Sequence, residues 1–187
     1  GIASLIISKN PTLSQDEVIS IIQTSVDPIV QPYIFGGTGR INAKKALELT
    51  KLSKYYGSFP VAIINGSIVL TDSQVKIYGK AWSPSFSKFQ MWIGEGLYPE
   101  NWQLLGESAS PVVDNLLWSV ELGNLDYGVY NIKLTVMDIN GQQAIDFIPI
   151  SKSAGSYFEG WPLDTNSQVN SDLSLDNLNL DPKLEIV

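Results

Sequence analysis

The sequence predicts a mixed fold: a helical segment over residues 1–54, an all-β sandwich of about seven strands over 55–150, and a largely irregular acidic tail over 151–187. Two changes of pattern predict it. Apolar residues recur at helical spacing as far as Ser53, alternate one by one between Val61 and Ile150, and give way after Ser151 to Ser, Gly, Asn and Asp. Charge divides at the same places: six basic and four acidic groups over 1–54, four and nine over 55–150, two and six over 151–187.

Residues 1–8 read as the end of a buried helix, apolar on nearly every side and opening without a preceding cap, so we expect the chain to be a piece of a longer one. Lys9-Asn10 and Pro11 stop that helix. A second helix starts after Leu13: Ser14 and Glu17 have the spacing of a capping box, Leu13 and Val18 stand at the staple positions, and Val18, Ile21 and Ile22 form the apolar stripe. Asp27 to Phe35 reads as a loop, and Asn42 caps a third helix from Ala43 to about Ser53. Ile2, Leu5, Ile6, Val18, Ile21 and Ile22 exceed what three short helices can bury among themselves. Several are expected to be exposed unless the sandwich covers them.

Three runs carry a resemblance. Gly1-Ile2-Ala3-Ser4-Leu5, then Asn10-Pro11-x-Leu13-Ser14-x-x-Glu17-Val18, then Gly37-x-Gly39-Arg40-Ile41-Asn42-Ala43-x-x-Ala46-Leu47 resemble the C-terminal end of the catalytic domain of subtilisin-like serine proteases. The resemblance implies that residues 1–54 are helices of that α/β fold. It also implies that Gly1 is the last Gly of the motif that carries the nucleophilic Ser, with the Asp, His and oxyanion Asn further upstream. No catalytic residue is then expected in this chain. A generic helical hairpin is the plain alternative.

After a connector over 52–60, candidate strands run Val61–Ile64, Val75–Gly79, Phe89–Ile93, Trp102–Leu105, Leu116–Leu122, Tyr130–Val136 and Ala144–Ile150. Turns are expected at Asn65-Gly66, Ser83-Pro84, Tyr98-Pro99, Ser110-Pro111 and Asn140-Gly141. In the sixth strand Tyr130, Ile132, Leu134 and Val136 face one way and Asn131, Lys133 and Thr135 the other, which is a sheet with one dry face. Asp126 to Tyr130 resembles the tyrosine corner of immunoglobulin-like and fibronectin-III-like sandwiches. With Gly94-x-Gly96, Pro99-x-x-Trp102 and Leu125-x-x-Gly128-x-Tyr130, the segment resembles sandwich modules that follow bacterial subtilase domains.

In the tail, Gly160-Trp161-Pro162 and the run from Leu178 to Val187 resemble the opening of an FG-GAP-type propeller repeat. That resemblance implies a Ca2+ loop with ligands at Asn177, Asn179, Asp181 and Glu185. Alternate oxygen donors in a tight turn suit a hard cation, but two carboxylates of the pattern are Asn here, and its glycines are Leu180 and Pro182. A degenerate loop is the alternative.

Composition removes other classes. With no His and no Cys, the chain has no imidazole base, thiol nucleophile, disulfide or usual zinc ligand. A net charge of -7 without a basic stripe argues against nucleic acid. No apolar run reaches the roughly 18 residues that span a bilayer. Ser4 and Ser8 read as packing residues, Gly36 to Arg40 as a turn and not a phosphate cradle, and Glu95, Glu100 and Glu107 as solvated acids and not a glycosidase pair. Among the tryptophans, Trp102 and Trp118 are expected in the core and Trp92 outward as a contact residue; Trp82 carries no assignment.

Together these readings imply a piece of a secreted or cell-surface subtilisin-like endopeptidase, partnered by the upstream catalytic domain of the same polypeptide and by protein substrates of the whole. The alternative is a non-catalytic extracellular adhesion or substrate-binding protein in which the sandwich is the working part.

Overall fold

A computed structural model describes residues 1–27, 39–71 (backbone only over 67–71) and 74–152, together with two short strands near the C-terminus. The chain divides into two compact units, Gly1–Ala154 and Gly155–Val187. In the second, β8 (Leu175–Asp176) pairs antiparallel with β9 (Glu185–Ile186).

The first unit opens with α1 (Ile2–Lys9), which ends at Asn10, whose N–H donates to the Ile6 carbonyl at 2.9 Å. The Asn10 amide also donates to Ser53 Oγ at 3.2 Å, a buried bond that ties the end of α1 to α3 (Ala43–Tyr56). Helix α2 (Gln15–Thr24) carries the expected capping box, and Asn42 Oδ1 caps α3 by accepting from the Lys45 N–H at 3.0 Å. Helix α3 runs three residues past Ser53 and stops at Gly57, whose φ of 86° a residue with a Cβ rarely adopts.

Seven strands follow: β1 (Val61–Thr71), β2 (Gln74–Trp82), β3 (Phe86–Glu95), β4 (Gln103–Ser108), β5 (Val112–Glu121), β6 (Gly128–Asp138) and β7 (Gln143–Lys152). They form two antiparallel sheets, ordered β1-β2-β5 and β4-β3-β6-β7. Each expected strand is present and longer than its apolar kernel, because backbone pairing continues past the residues that face the core, although β4 begins after Trp102 and β5 ends before Leu122. The turn expected at Asn65-Gly66 is not one. Strand β1 runs through it against β2, and the register shift between Ile64 and Gly66 absorbs the extra residue as a bulge.

Tyr130, Ile132, Leu134 and Val136 are buried as their alternation requires, and the Tyr130 hydroxyl donates to the Asp126 carbonyl at 3.0 Å, closing the expected corner. Thr135, expected outward, is 2% exposed. Gly106 leaves room for Trp118 across the sheets: a Cβ there would lie 2.3 Å from the indole. The buried apolar residues make one continuous cluster from Ile6, Val18, Ile21 and Ala46 through Phe59 and Ala62 to the sandwich interior, so the helices and sandwich share a core.

Candidate functional site

The distinctive feature of the molecule is the helix layer, whose two sides are treated differently. Its inner side is set by α2. Strand β1 is the edge of one sheet and β7 the edge of the other, and edge strands carry unpaired backbone donors that need a cover. The polar residues of α2 supply it. Glu17 Oε2 accepts from the N–H and hydroxyl of Ser14 at 2.7 and 2.8 Å, while Oε1 accepts from the N–H of Phe59 at 2.9 Å. One buried carboxylate therefore caps the helix and holds the chain entering β1. Ser20 Oγ accepts from the N–H of Ala62 at 3.1 Å, and Thr24 Oγ1 from the N–H of Ile145 on β7 at 2.9 Å.

Asp146 joins all three pieces. From β7 it accepts from the N–H of Ile64 on β1 at 2.7 Å, from Gln23 Nε2 on α2 at 3.0 Å, and from the N–H of Phe147 at 2.9 Å. Burial pushes its carboxyl above the usual carboxylate range, against the opposing pull of those donors. On the rim, Asp16 pairs with Lys80 of β2 at 2.6 Å and holds that ammonium above its ordinary pKa.

The outer side is different. Of the apolar residues in α1 only Ile6 is dry, whereas Leu5 is 49% and Ile7 48% exposed. Leu52, Tyr55 and Tyr56 of α3, which packs against α1, are also exposed, with Tyr55 at 82%. Ile2 and Ile22 are half-buried against the core, and Val18 and Ile21 are buried. Of the six residues named from sequence only Leu5 is exposed: α2 is sheltered by β1 and β7 of the sandwich, while α1 packs on α2 and α3.

The other sequence-derived residues do not assemble into a reactive site. Asn177, Asn179 and Asp181 lie outside the described residues, and Glu185 is described only as the backbone partner of Asp176. Ser4 and Ser8 are exposed, Ser8 Oγ donating to the Leu5 carbonyl at 2.9 Å. Residues 36–38 lie outside the described part; Arg40 exchanges backbone hydrogen bonds with Asp27. Glu107 is taken up by Lys88 and Gln90, at 2.8 and 2.9 Å, which lower its pKa. Glu95 and Glu100 are exposed. Among the described residues no group of three or more Asp or Glu could hold a metal ion.

Two placements of tryptophan are informative. Trp118 packs against the core as expected. Trp102 does not: it lies half-buried on the outer face, its ring centroid 4.2 Å from Lys133 Nζ and 5.8 Å from the Phe147 ring. The loop before β4 folds back over the sheet, and the Lys133 ammonium offers a cation–π partner that the core lacks. Trp92 faces the same way, with Lys133 Nζ 5.1 Å above it, and burial lowers the Lys133 pKa. A cleft of about 400 Å³ opens beside Trp102, lined by Glu95, Asn101, Asp126 and Tyr130 among others.

Glu17, Ser20 and Asp146 were not singled out from sequence beyond the capping role of Glu17. A signal existed for Asp146: on β7 it shares the dry face with Ala144 and Ile150, where an unpartnered carboxylate is costly.

No protein-family profile matches the chain. Two curated relatives, from Trichormus variabilis and from a Nostoc species, are each 48% identical to it over 58 positions, 26% of this chain and 9% of the relative. Both are named calcium-dependent protease. The chain thus spans about a tenth of the length of the curated relatives it matches, and the similarity marks a protease-related region in a small part of it. No helix among the described residues is long and apolar enough to cross a membrane.

Proposed function

We propose that this chain is part of a secreted subtilisin-like serine endopeptidase. Residues 1–54 are the closing helices of the catalytic domain, 55–150 a fibronectin-III-like accessory sandwich, and 151–187 a linker and the start of an FG-GAP-like repeat. The observation that carries the reading is the ordered run of motifs from Gly1 to Leu47. It is supported by the similarity to proteins named calcium-dependent protease, and by an α1 whose Leu5 and Ile7 are wet although Ile6 between them is dry.

On this reading α1 continues the helix that begins at the nucleophile, and the outer side of α1 lies against the body of the catalytic domain. The whole protein cleaves peptide bonds by the family's chemistry: serine attack, a histidine base oriented by an aspartate, and an amide donor to the oxyanion. This chain, lacking His, supplies scaffold and not chemistry. The donor set Asn177, Asn179, Asp181 and Glu185 fits a hard cation in kind, all four offering side-chain oxygens, but two carboxylates make it a weak Ca2+ site.

The test is the coding sequence just upstream of Gly1 together with an assay of the purified chain. The reading expects a Gly-Thr-Ser-x-Ala-x-Pro-like motif within a dozen codons and no peptidase activity in residues 1–187. Loss of that motif points instead to the non-catalytic adhesion protein, and serine-inhibitor-sensitive hydrolysis by the isolated chain contradicts both.

A further inference from the structure

We propose that the sandwich is a fixed prop for the helix layer, and that Glu17, Ser20 and Asp146 are positioning residues that lock α2, and through it α1, against the free edges of β1 and β7. The locking stands on the structure alone; its catalytic consequence rests on the protease reading.

The case is made by where the backbone donors go. The N–H groups of Phe59, Ala62 and Ile64 have their partners in Glu17 of α2, Ser20 of α2 and Asp146 of β7. Phe59 and Ala62 are completely buried, and Glu17, Ser20 and Asp146 are each at most 7% exposed. Helix α2 cannot slide or lift without leaving the N–H groups of Phe59, Ala62 and Ile145 unpaired away from water and stripping Asp146 of its Gln23 partner.

The connector from α3 to β1 is equally fixed. Ser58 and Phe59 are buried, and the Ser58 carbonyl accepts from Gln142 Nε2 at 3.0 Å. A tethered module has an exposed, solvated linker; this one has a linker built into the core. From α2 the constraint passes to α1 because Ile6 lies in the same buried cluster as Val18 and Ile21, and from α3 because Asn10 bonds to Ser53. If α1 carries a nucleophile at its head, such rigidity matters, since a displacement on the order of 1 Å costs about a hundredfold in rate.

Hydrogen exchange on the full chain, comparing the wild type with Ser20→Ala and Asp146→Asn, tests the locking. The expected result is faster exchange in α1 together with α2, by roughly tenfold or more, the equivalent of one lost buried hydrogen bond, while β3 keeps its protection. Faster exchange in α2 with α1 unchanged overturns the proposal. Should Asp146→Asn unfold outright, Ser20→Ala decides, along with the wild-type melt: one transition for helices and sandwich supports the lock, and two separate transitions refute it.

In the whole protease, Ser20→Ala is expected to lower kcat on a short peptide with KM unchanged; an unchanged kcat overturns the catalytic consequence. A whole protein without peptidase activity defeats the protease reading and leaves the exchange result standing.

Discussion

Helices α1 and α2 stand side by side in one layer, yet they meet opposite fates. The apolar stripe of α2 enters the common core, and its Ser20 and Thr24 hydroxyls complete two sheet edges. Helix α1 keeps a single dry residue, Ile6, with wet apolar neighbours on both sides. The difference teaches that burial alone does not distinguish a scaffold helix from a surface one. What distinguishes them is whether the side that remains apolar has been given water or a partner, and α1 has Leu5 and Ile7 in water where polar residues are expected.

The sharpest way to break this comparison is truncation on the two sides of the layer. Ile21→Ala and Ile6→Ala each remove a completely buried side chain and are expected to cost about 2–5 kcal/mol. Leu5→Ala, one residue away from Ile6, should stay within about 0.5 kcal/mol. Denaturant unfolding measures both, and equal losses at Leu5 and Ile6 would erase the distinction drawn here.

Next in size is Asp146→Asn, which turns a donor toward one of three N–H groups and leaves a buried donor without an acceptor, at about 1–3 kcal/mol. Its pH dependence carries a sign of its own. The folded-state pKa of Asp146 is raised by burial, so the folded protein holds this proton more tightly than the unfolded chain does. Stability from this group therefore falls as pH rises through the raised value and recovers as pH is lowered toward the ordinary carboxylate range. Asp27 is the opposite case: hydrogen bonds from Lys45 and then Asn42 lower its pKa, and its contribution is lost on acidification through the lowered value. Melts of Asp146→Asn and Asp27→Asn across pH should diverge from the wild type in opposite directions.

The smallest effect is expected at the rim of the joint. Lys80→Gln removes the partner of Asp16, a partly exposed pair worth about 0–1 kcal/mol after solvent screening. A loss as large as that of Asp146→Asn would mean that the rim, not the buried joint, holds α2.

The sequence was most legible where a local rule acts alone. The Ser14–Glu17 box, the Asn42 cap, the Tyr130 corner and the alternation of β6 each depend on residues a few positions apart, and each was readable. What escaped reading depends on distant partners. Glu17 was visible as a cap but not as the acceptor for Phe59, 42 residues on. Trp102 looked like core by local pattern, yet Lys133, on a strand two places along the sheet, draws it to the outer face. Asn65-Gly66 has the composition of a turn, but pairing with β2 carries the strand through it as a bulge. The joint at Asp146 combines β7, β1 and α2, and no window of sequence contains all three.

One measurement bears most directly on the claim that the outer side of α1 belongs against a body beyond these residues. Residues 1–187 have no cysteine, so Leu5→Cys and Ile6→Cys each introduce a single thiol there, and mass spectrometry of the peptide that carries it compares its labelling rate in residues 1–187 and in the whole protein. The account predicts that Leu5→Cys labels fast in the isolated chain and slowly in the whole protein, with Ile6→Cys slow in both. A Leu5→Cys thiol that labels equally fast in both would show that nothing covers α1.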